Sequence, residues 1–285
     1  MTHPQKFKAA QRQGWDSVAE GWKKWWKIIE ESSQVVSDRL VELGEIRQGS
    51  RVLDVATGIG EPALTAARKV GPSGKVTAID ISPAMLAIAR ERAEQSGLSD
   101  IIEFQEADAE SLELPPSSFD AIICRFGLMF MPDLVGALKT MRGSLAPSGR
   151  IAAAVWSSMD RAPSFLIPFE IVSKETGTTP PTPGSPSVFS LADTSLLRKR
   201  FEQAGFNDIK IESSKIDFSL PSPEEYVDFV RSTAASFGAM MAGLPAAKQE
   251  EIWNKVADTA REHAADSSTG AVRFTNEVIY VSARS

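Results

Sequence analysis

The chain has 285 residues, 42% of them hydrophobic, and a net charge of -6. That length and apolar content support a sizeable buried core, whereas the acidic balance lacks the basic excess that broad binding to a phosphate backbone requires. The single cysteine, Cys124, excludes an internal disulfide framework and a thiolate cluster, and His3 and His263 offer little for a His-based metal centre or triad, so no metal is expected.

The first residues, "MTHPQKFKAAQRQGWDSVAEGW", contain no apolar h-region, and no apolar run approaches the roughly 18 residues of a spanning helix. A soluble, cytoplasmic protein without stable membrane insertion is expected, with a small molecule and not nucleic acid as its partner; an oligomer remains open. Trp15, Val18, Ala19, Trp22, Trp26 and Ile29 follow helical spacing, so residues 1–45 read as an amphipathic helical lid. The interleaved Lys23, Lys24 and Lys27 then occupy its solvated face; a membrane-surface helix is the weaker reading.

From residue 50 to 156, short apolar runs alternate with helix-like stretches, the pattern of βαβ units on a parallel sheet. Strands are expected at 51–56, 75–80, 101–108, 119–126 and 149–156. Between them lie helices at 61–70, with Pro62 in the first turn, at 83–96, capped by Ser82 and stopped at Gly97, and at 134–145. The stretch "TGTTPPTPGSPS" (176–187) reads as a loop, followed by a helix ending at Gly205 and a strand over 208–220. Residues 221–265 are helical in character and 271–285 alternate as a last strand. The expected organisation is therefore a lid (1–45), a ligand-binding core (46–220), an inserted helical cap (221–265) and a final core strand (266–285).

The stretch "DVATGIGEPA" (54–63) closes the first strand with a glycine-rich turn. Gly58, Gly60 and Ala63 fit the dinucleotide fingerprint, and Asp80, 20 residues beyond Gly60, stands where a ribose-binding acid is expected. A pyrophosphate, however, needs free N–H groups and positive potential at the helix start. Glu61 adds repulsion there and Pro62 removes a donor. A phosphate-free ligand with an adenosine and an ammonium, such as S-adenosylmethionine, meets neither obstacle. Asp54 places a carboxylate beneath the turn for that ammonium, or for the turn's own amides. Asp108 stands at the third strand end as an acceptor for an adenine amino group, with the Ala109 amide beside it.

The segments "VLDVATGIGEPA", "VTAIDISPAMLAIARERA", "IEFQEADAESLELPPSSFDAIICRFGLMFMPD" and "ALKTMRGSLAPSGRIAAAVW", together about residues 47–156, resemble the class I S-adenosylmethionine-dependent methyltransferases. The closer resemblance is to the small-molecule branch that includes the ubiquinone and menaquinone biosynthesis C-methyltransferases. It implies an α/β, doubly wound, Rossmann-like sheet of seven strands in the order 3-2-1-4-5-7-6, with the last antiparallel. It carries Gly58 and Gly60 over as the turn under the methionine part, Asp80 as the ribose acid, Asp108 with Ala109 as the adenine contacts, Trp22 as an aromatic that closes the pocket, and Arg125 and Phe126 as lining beside the transferable methyl. With Asp54, Ala56, Thr57, Ile81 and Met85 these make up the expected cofactor site. Arg125 reads equally as a partner for the cofactor carboxylate, for an anionic group of the acceptor, or for a structural salt bridge. Thr57 departs from the Cys or Gly often found before the first glycine, a change that still allows the turn.

Methyl transfer from a sulfonium needs alignment and water exclusion more than a base. No catalytic dyad is evident, so the catalytic residues stay unassigned. Met129, Trp156 and Phe229 are the expected acceptor-binding residues, with Phe165, Tyr226, Phe237, Met240 and Met241 as further apolar candidates, although core packing explains each of these as well. The reading is an S-adenosylmethionine-dependent methyltransferase for a small hydrophobic or aromatic acceptor at carbon or oxygen. A nicotinamide-dependent oxidoreductase and a non-catalytic S-adenosylmethionine-binding sensor or partner protein are the alternatives.

Overall fold

The computed structural model describes residues 3–179, 185–263 and 270–285. The middle of the Pro-rich stretch and the tail of the expected cap fall outside these residues.

One long helix, α1 (His3–Leu43), leads into β1 (Arg51–Val55), α2 (Ala63–Val70), β2 (Lys75–Asp80), α3 (Pro83–Gln95), β3 (Ile102–Glu106), β4 (Phe119–Arg125), α4 (Leu134–Ser144) and β5 (Leu145–Trp156). There follow α5 (Pro163–Thr176), α6 (Thr194–Gln203), β6 (Asn207–Leu220), α7 (Pro223–Thr233), α8 (Ala235–Met241), α9 (Ala246–Ala260) and β7 (Val272–Arg284). The seven strands form a single sheet in the order β3-β2-β1-β4-β5-β7-β6. β1 to β5 are parallel, and β7 runs antiparallel between β5 and β6. This is the order and polarity that the resemblance implies. β1 lies between β2 and β4, so the chain reverses its winding there and opens a crevice above the strand ends.

The near-continuous apolar runs of the central strands follow from burial on both sheet faces. One face packs α4 and α6 through Leu138, Met141, Leu197 and Phe201 against Ile122, Ile151 and Val281. The other packs α2, α3 and the second half of α1 through Leu64, Ala93, Val36 and Leu40 against Val52, Ile123 and Ala154. The first half of α1 leaves this core and crosses the strand ends. There Val18 and Ala19 meet Ile59 of the glycine turn and Met85 and Ile88 of α3.

α7, α8 and α9 lie between β6 and β7 in the chain and pack on the outer halves of those two strands through Phe218, Leu220, Val272 and Phe274. Gly21 lets α1 approach them closely, since a Cβ there would fall 1.8 Å from the Ser232 carbonyl oxygen. Around that contact Trp22 Nε1 donates to the Thr233 carbonyl at 3.1 Å and Trp25 Nε1 to the Ser232 hydroxyl at 2.9 Å.

Several boundaries differ from expectation. α5 (Pro163–Thr176) forms where the sequence pattern predicts no element, since Pro163 and Pro168 obscure its helical periodicity. Pro163 occupies the first turn, where no donor is lost, and Pro168 is accommodated within the helix. The helical stretch after Ser222 is two helices, broken at Ala234 with ψ 87°. β5 starts at Leu145 and not at Gly149, and β3 ends at Glu106, which puts Asp108 in the following turn.

Candidate functional site

The glycine turn follows β1 directly. Ala56, Gly58 and Gly60 all have positive φ, at 58°, 56° and 105°. For the two glycines this carries no steric cost; for Ala56 it does. Its methyl fits because residue 127 has no side chain, and a Cβ there would lie 2.5 Å from the Ala56 Cβ and 2.8 Å from the Cys124 Sγ. Nothing lies within 4 Å of where a Gly58 Cβ would stand, so the turn faces open space.

Asp80, at the end of β2, accepts from the Gly58 amide at 2.8 Å and from the Ser82 amide at 2.9 Å. It therefore ties the turn to the start of α3, where Ile81 and Met85 stand. Burial raises its carboxyl above the usual range, and these amides offset part of that.

Asp54 is completely buried, and although the Thr57 hydroxyl and the Ala63 amide lie near it, no donor meets either of its oxygens in good hydrogen-bond geometry; the Thr57 hydroxyl is likewise without a well-formed bond. Burial pushes the Asp54 carboxyl up to about 8, with the nearness of Thr57 and of the Arg125 charge offsetting only part of the effect. A buried acceptor left without a donor is costly. Arg125 itself donates to the hydroxyls of Ser33 at 3.1 Å and Ser37 at 3.0 Å on α1. Among the described residues no carboxylate reaches salt-bridge range of Arg125. Burial lowers its pKa, while Glu61 and Asp54 act on it from further away in the opposite sense. Glu61 is buried too; its Oε2 accepts from the Thr65 hydroxyl at 2.7 Å.

Asp108 lies beyond β3, with Ala109 half-buried next to it. Its Oδ1 accepts from the Glu110 amide at 3.0 Å and its Oδ2 from Lys8 Nζ at 2.7 Å. Burial alone would raise this carboxyl, but Lys8 and the amide outweigh it and hold it below the usual range. Sequence reasoning did not single out Lys8. Its helical spacing from Arg12 and Asp16 was visible, but not where the helix would cross the sheet.

Beyond β4, Phe126 stacks face to face on Trp156 at 4.2 Å and 2°, Trp156 meets Phe165 at 4.9 Å, and Phe165 meets Phe189 edge-on at 5.9 Å. This half-buried aromatic row flanks the crevice at the ends of β4 and β5. Trp15 and Trp22 of α1 meet edge-on at 6.1 Å, and Trp15 meets Phe130 at 5.5 Å. Phe165, expected with Phe126 and Trp156 around the strand ends, reaches that place from α5, and Phe189, before α6, extends the row.

The remaining expected residues sit elsewhere. Met129 is 3% exposed in the core beneath α4, and its carbonyl accepts from the Ser190 hydroxyl. Phe229 packs with Trp25 and Phe218, and Phe237 with Trp253, within the cap's own apolar cluster. Tyr226 is fully buried there and donates to the Ser164 carbonyl at 2.7 Å. Met241 belongs to the same cluster, with Met240 at its margin.

A family profile described as "Methyltransferase domain" matches residues 52–149, which carry the turn, the acidic strand ends and the start of β5. The ubiquinone/menaquinone biosynthesis C-methyltransferase UbiE of Pseudomonas putida is 40% identical over 111 residues, 39% of this chain and 43% of its own length. The match thus spans less than half of that relative. Among solved structures, the YcgJ protein of Bacillus subtilis superposes with a TM-score of 0.56 at 20% identity, over 87% of this chain and 97% of its own. Phosphoethanolamine N-methyltransferase 2 of Haemonchus contortus, solved with S-adenosyl-L-methionine, gives 0.51 at 20% identity, over 86% and 50%. At these identities the two structures establish the fold. No described helix is long and apolar enough to cross a membrane. Residues 52–149 therefore match a methyltransferase domain, and the seven-stranded sheet built around them has the fold of these two structures.

Proposed function

We propose that the protein is an S-adenosylmethionine-dependent methyltransferase that acts on a small hydrophobic or aromatic acceptor at carbon or oxygen. The observation that carries this reading is Asp54: a fully buried carboxyl with both oxygens unpartnered, beneath a glycine turn that faces open space. An ammonium placed there supplies the missing donors and favours the ionised form. The residues around it suit the rest of such a ligand. Arg125, without a close carboxylate, is suited to the carboxylate of the methionine end; Asp80 has lone pairs left for two ribose hydroxyls; Asp108 and the Ala109 amide suit the adenine edge. Ala56, Thr57, Gly58 and Gly60 shape the floor, Ile81 and Met85 the ribose side, and Trp22 the roof. Bound there, S-adenosylmethionine supplies a methyl group already activated by the sulfonium.

What remains for the protein is to align the acceptor and exclude water. The stacked Phe126 and Trp156, with Phe165, provide a flat apolar wall at the strand ends for an apolar acceptor, and α1 with its tryptophans covers the crevice. In this reading residues 1–45 form the lid, 46–220 and 266–285 the ligand-binding core, and 221–265 the cap on which specificity depends.

The experiment is to incubate the purified protein with S-adenosylmethionine labelled in the methyl group and a panel of phenols, quinols and other apolar acceptors. Transfer of label with release of S-adenosylhomocysteine supports the reading. Binding of S-adenosylmethionine without transfer to any member of a metabolite extract favours a sensor or partner protein.

A further inference from the structure

Three polar side chains of α1, Lys8, Arg12 and Asp16, recur every four residues and so share one helix face. Lys8 and Arg12 engage the acidic rim of the crevice, and Asp16 engages the start of α3. Lys8 Nζ lies 2.7 Å from both Asp108 Oδ2 and Glu110 Oε2, Arg12 lies 2.6 Å from Glu106, and Asp16 Oδ1 accepts from the Ser82 hydroxyl at 2.6 Å. The apolar contacts of this half of α1 begin at Trp15, which meets Phe130, and continue through Val18 and Ala19, so they start beyond Lys8 and Arg12. The N-terminal turns of the lid are therefore held chiefly by exchangeable polar contacts.

We infer that Lys8 is a latch that closes the lid over the ligand-free site by occupying Asp108, and that an incoming adenosyl ligand must displace it. This rests on the assignment of Asp108 to the adenine amino group made above. Two donors already occupy Asp108, one on each oxygen, so a third must compete with Lys8 or share with it. Glu110 makes the exchange inexpensive. Its side chain is only 6% exposed, its other oxygen is held by the Asp133 amide at the start of α4, and it keeps the Lys8 ammonium paired when Asp108 turns to the ligand. The ligand therefore meets a protein whose binding-competent state is only partly populated, and its apparent affinity falls by that fraction.

The test compares wild type with Lys8→Met and Lys8→Arg. In ligand-free protein, hydrogen exchange over residues 5–16 should quicken in Lys8→Met and stay near wild type in Lys8→Arg. In stopped flow, with Trp15 and Trp22 as reporters, S-adenosylhomocysteine should associate with Lys8→Met about 1.5- to 5-fold faster, the range expected when one partly exposed ion pair is lost. Raising the ionic strength should speed association with wild type and leave Lys8→Met nearly unchanged. Unchanged exchange in Lys8→Met refutes the latch whether or not any ligand binds. Faster exchange with slower or weaker S-adenosylhomocysteine binding shows that Lys8 supports the ligand and overturns the competition. Failure of wild type to bind S-adenosylhomocysteine at all overturns the cofactor reading and the competition together, and leaves the exchange data to decide the latch by itself.

Discussion

Replacing Asp54 by Asn separates what this residue does for the fold from what it does for the ligand. Its carboxyl stands at about 8 in the folded chain against 3.8 in a solvated one. The folded state therefore holds a proton that the unfolded state has released between those values. Stability is fully present below the unfolded value, falls as pH rises through the interval, and levels off above about 8. At about 1.4 kcal/mol for each pH unit, the full interval corresponds to roughly 6 kcal/mol as an upper limit. Structural relaxation and water penetration reduce this to about 2–3 kcal/mol. Asn keeps the shape and does not ionise. Urea denaturation of both proteins at pH 4.5, 6, 7 and 8.5 should show the variant gaining on wild type steadily with pH, to about 2–3 kcal/mol at pH 8.5. The same substitution removes the charge proposed to meet the ligand ammonium, so calorimetry should show S-adenosylmethionine bound at least about 10-fold more weakly. A stability difference that does not vary with pH, or a wild type that is the more stable at pH 8.5, would refute the assignment of a strained, buried carboxyl.

Two further substitutions probe the turn and the wall. Gly127→Ala places a methyl 2.5 Å from the Ala56 Cβ and should cost about 1–3 kcal/mol in thermal or urea unfolding. Adding Ala56→Gly should restore part of that loss, because it clears one of the two close contacts and removes a positive-φ side chain while the 2.8 Å approach to the Cys124 Sγ stays; simple additivity of the two changes would show that they do not share the space. Trp156→Ala should lower kcat/KM for an aromatic acceptor about 10-fold or more while S-adenosylhomocysteine binding, followed by calorimetry, changes little. Equal losses in both would place Trp156 in the cofactor site instead.

The sheet was legible because its central strands are apolar on both faces and are spaced by helices with recognisable caps. Ser82 and Pro83 fixed the start of α3 to the residue, and the Ser82 hydroxyl accepts from the Met85 amide at 3.1 Å as an N-cap should. The glycine turn and Asp80 were legible for the same local reason: strand, turn and acid stand in fixed sequence relation. Contacts across long sequence distances were not. Gly21 carried no signal of its own in the sequence, yet it is where α1 touches α7. α5 was not legible, since Pro163 and Pro168 mask its helical pattern; Phe165 still stands beside Trp156 as expected, whereas Phe189, which extends the ring row, carried no signal. Phe229 looked like a lid aromatic, but its neighbours are Trp25 and Phe218. Hydrophobicity alone does not tell a ring that faces a ligand from one that faces a helix. Lys8 carried no signal beyond its charge, because its meaning depends on α1 lying across the end of β3.

The most direct test of the central claim is calorimetric titration of the protein with S-adenosylmethionine, S-adenosylhomocysteine and NADH, repeated on Asp80→Ala. Asp80 holds the Gly58 and Ser82 amides, so its loss loosens the turn and removes the ribose acceptor at one stroke. The account predicts binding of both adenosyl ligands, about 10- to 100-fold weaker in the variant, with no heat from NADH. Binding of NADH with neither adenosyl ligand would contradict it and return the glycine turn to a dinucleotide.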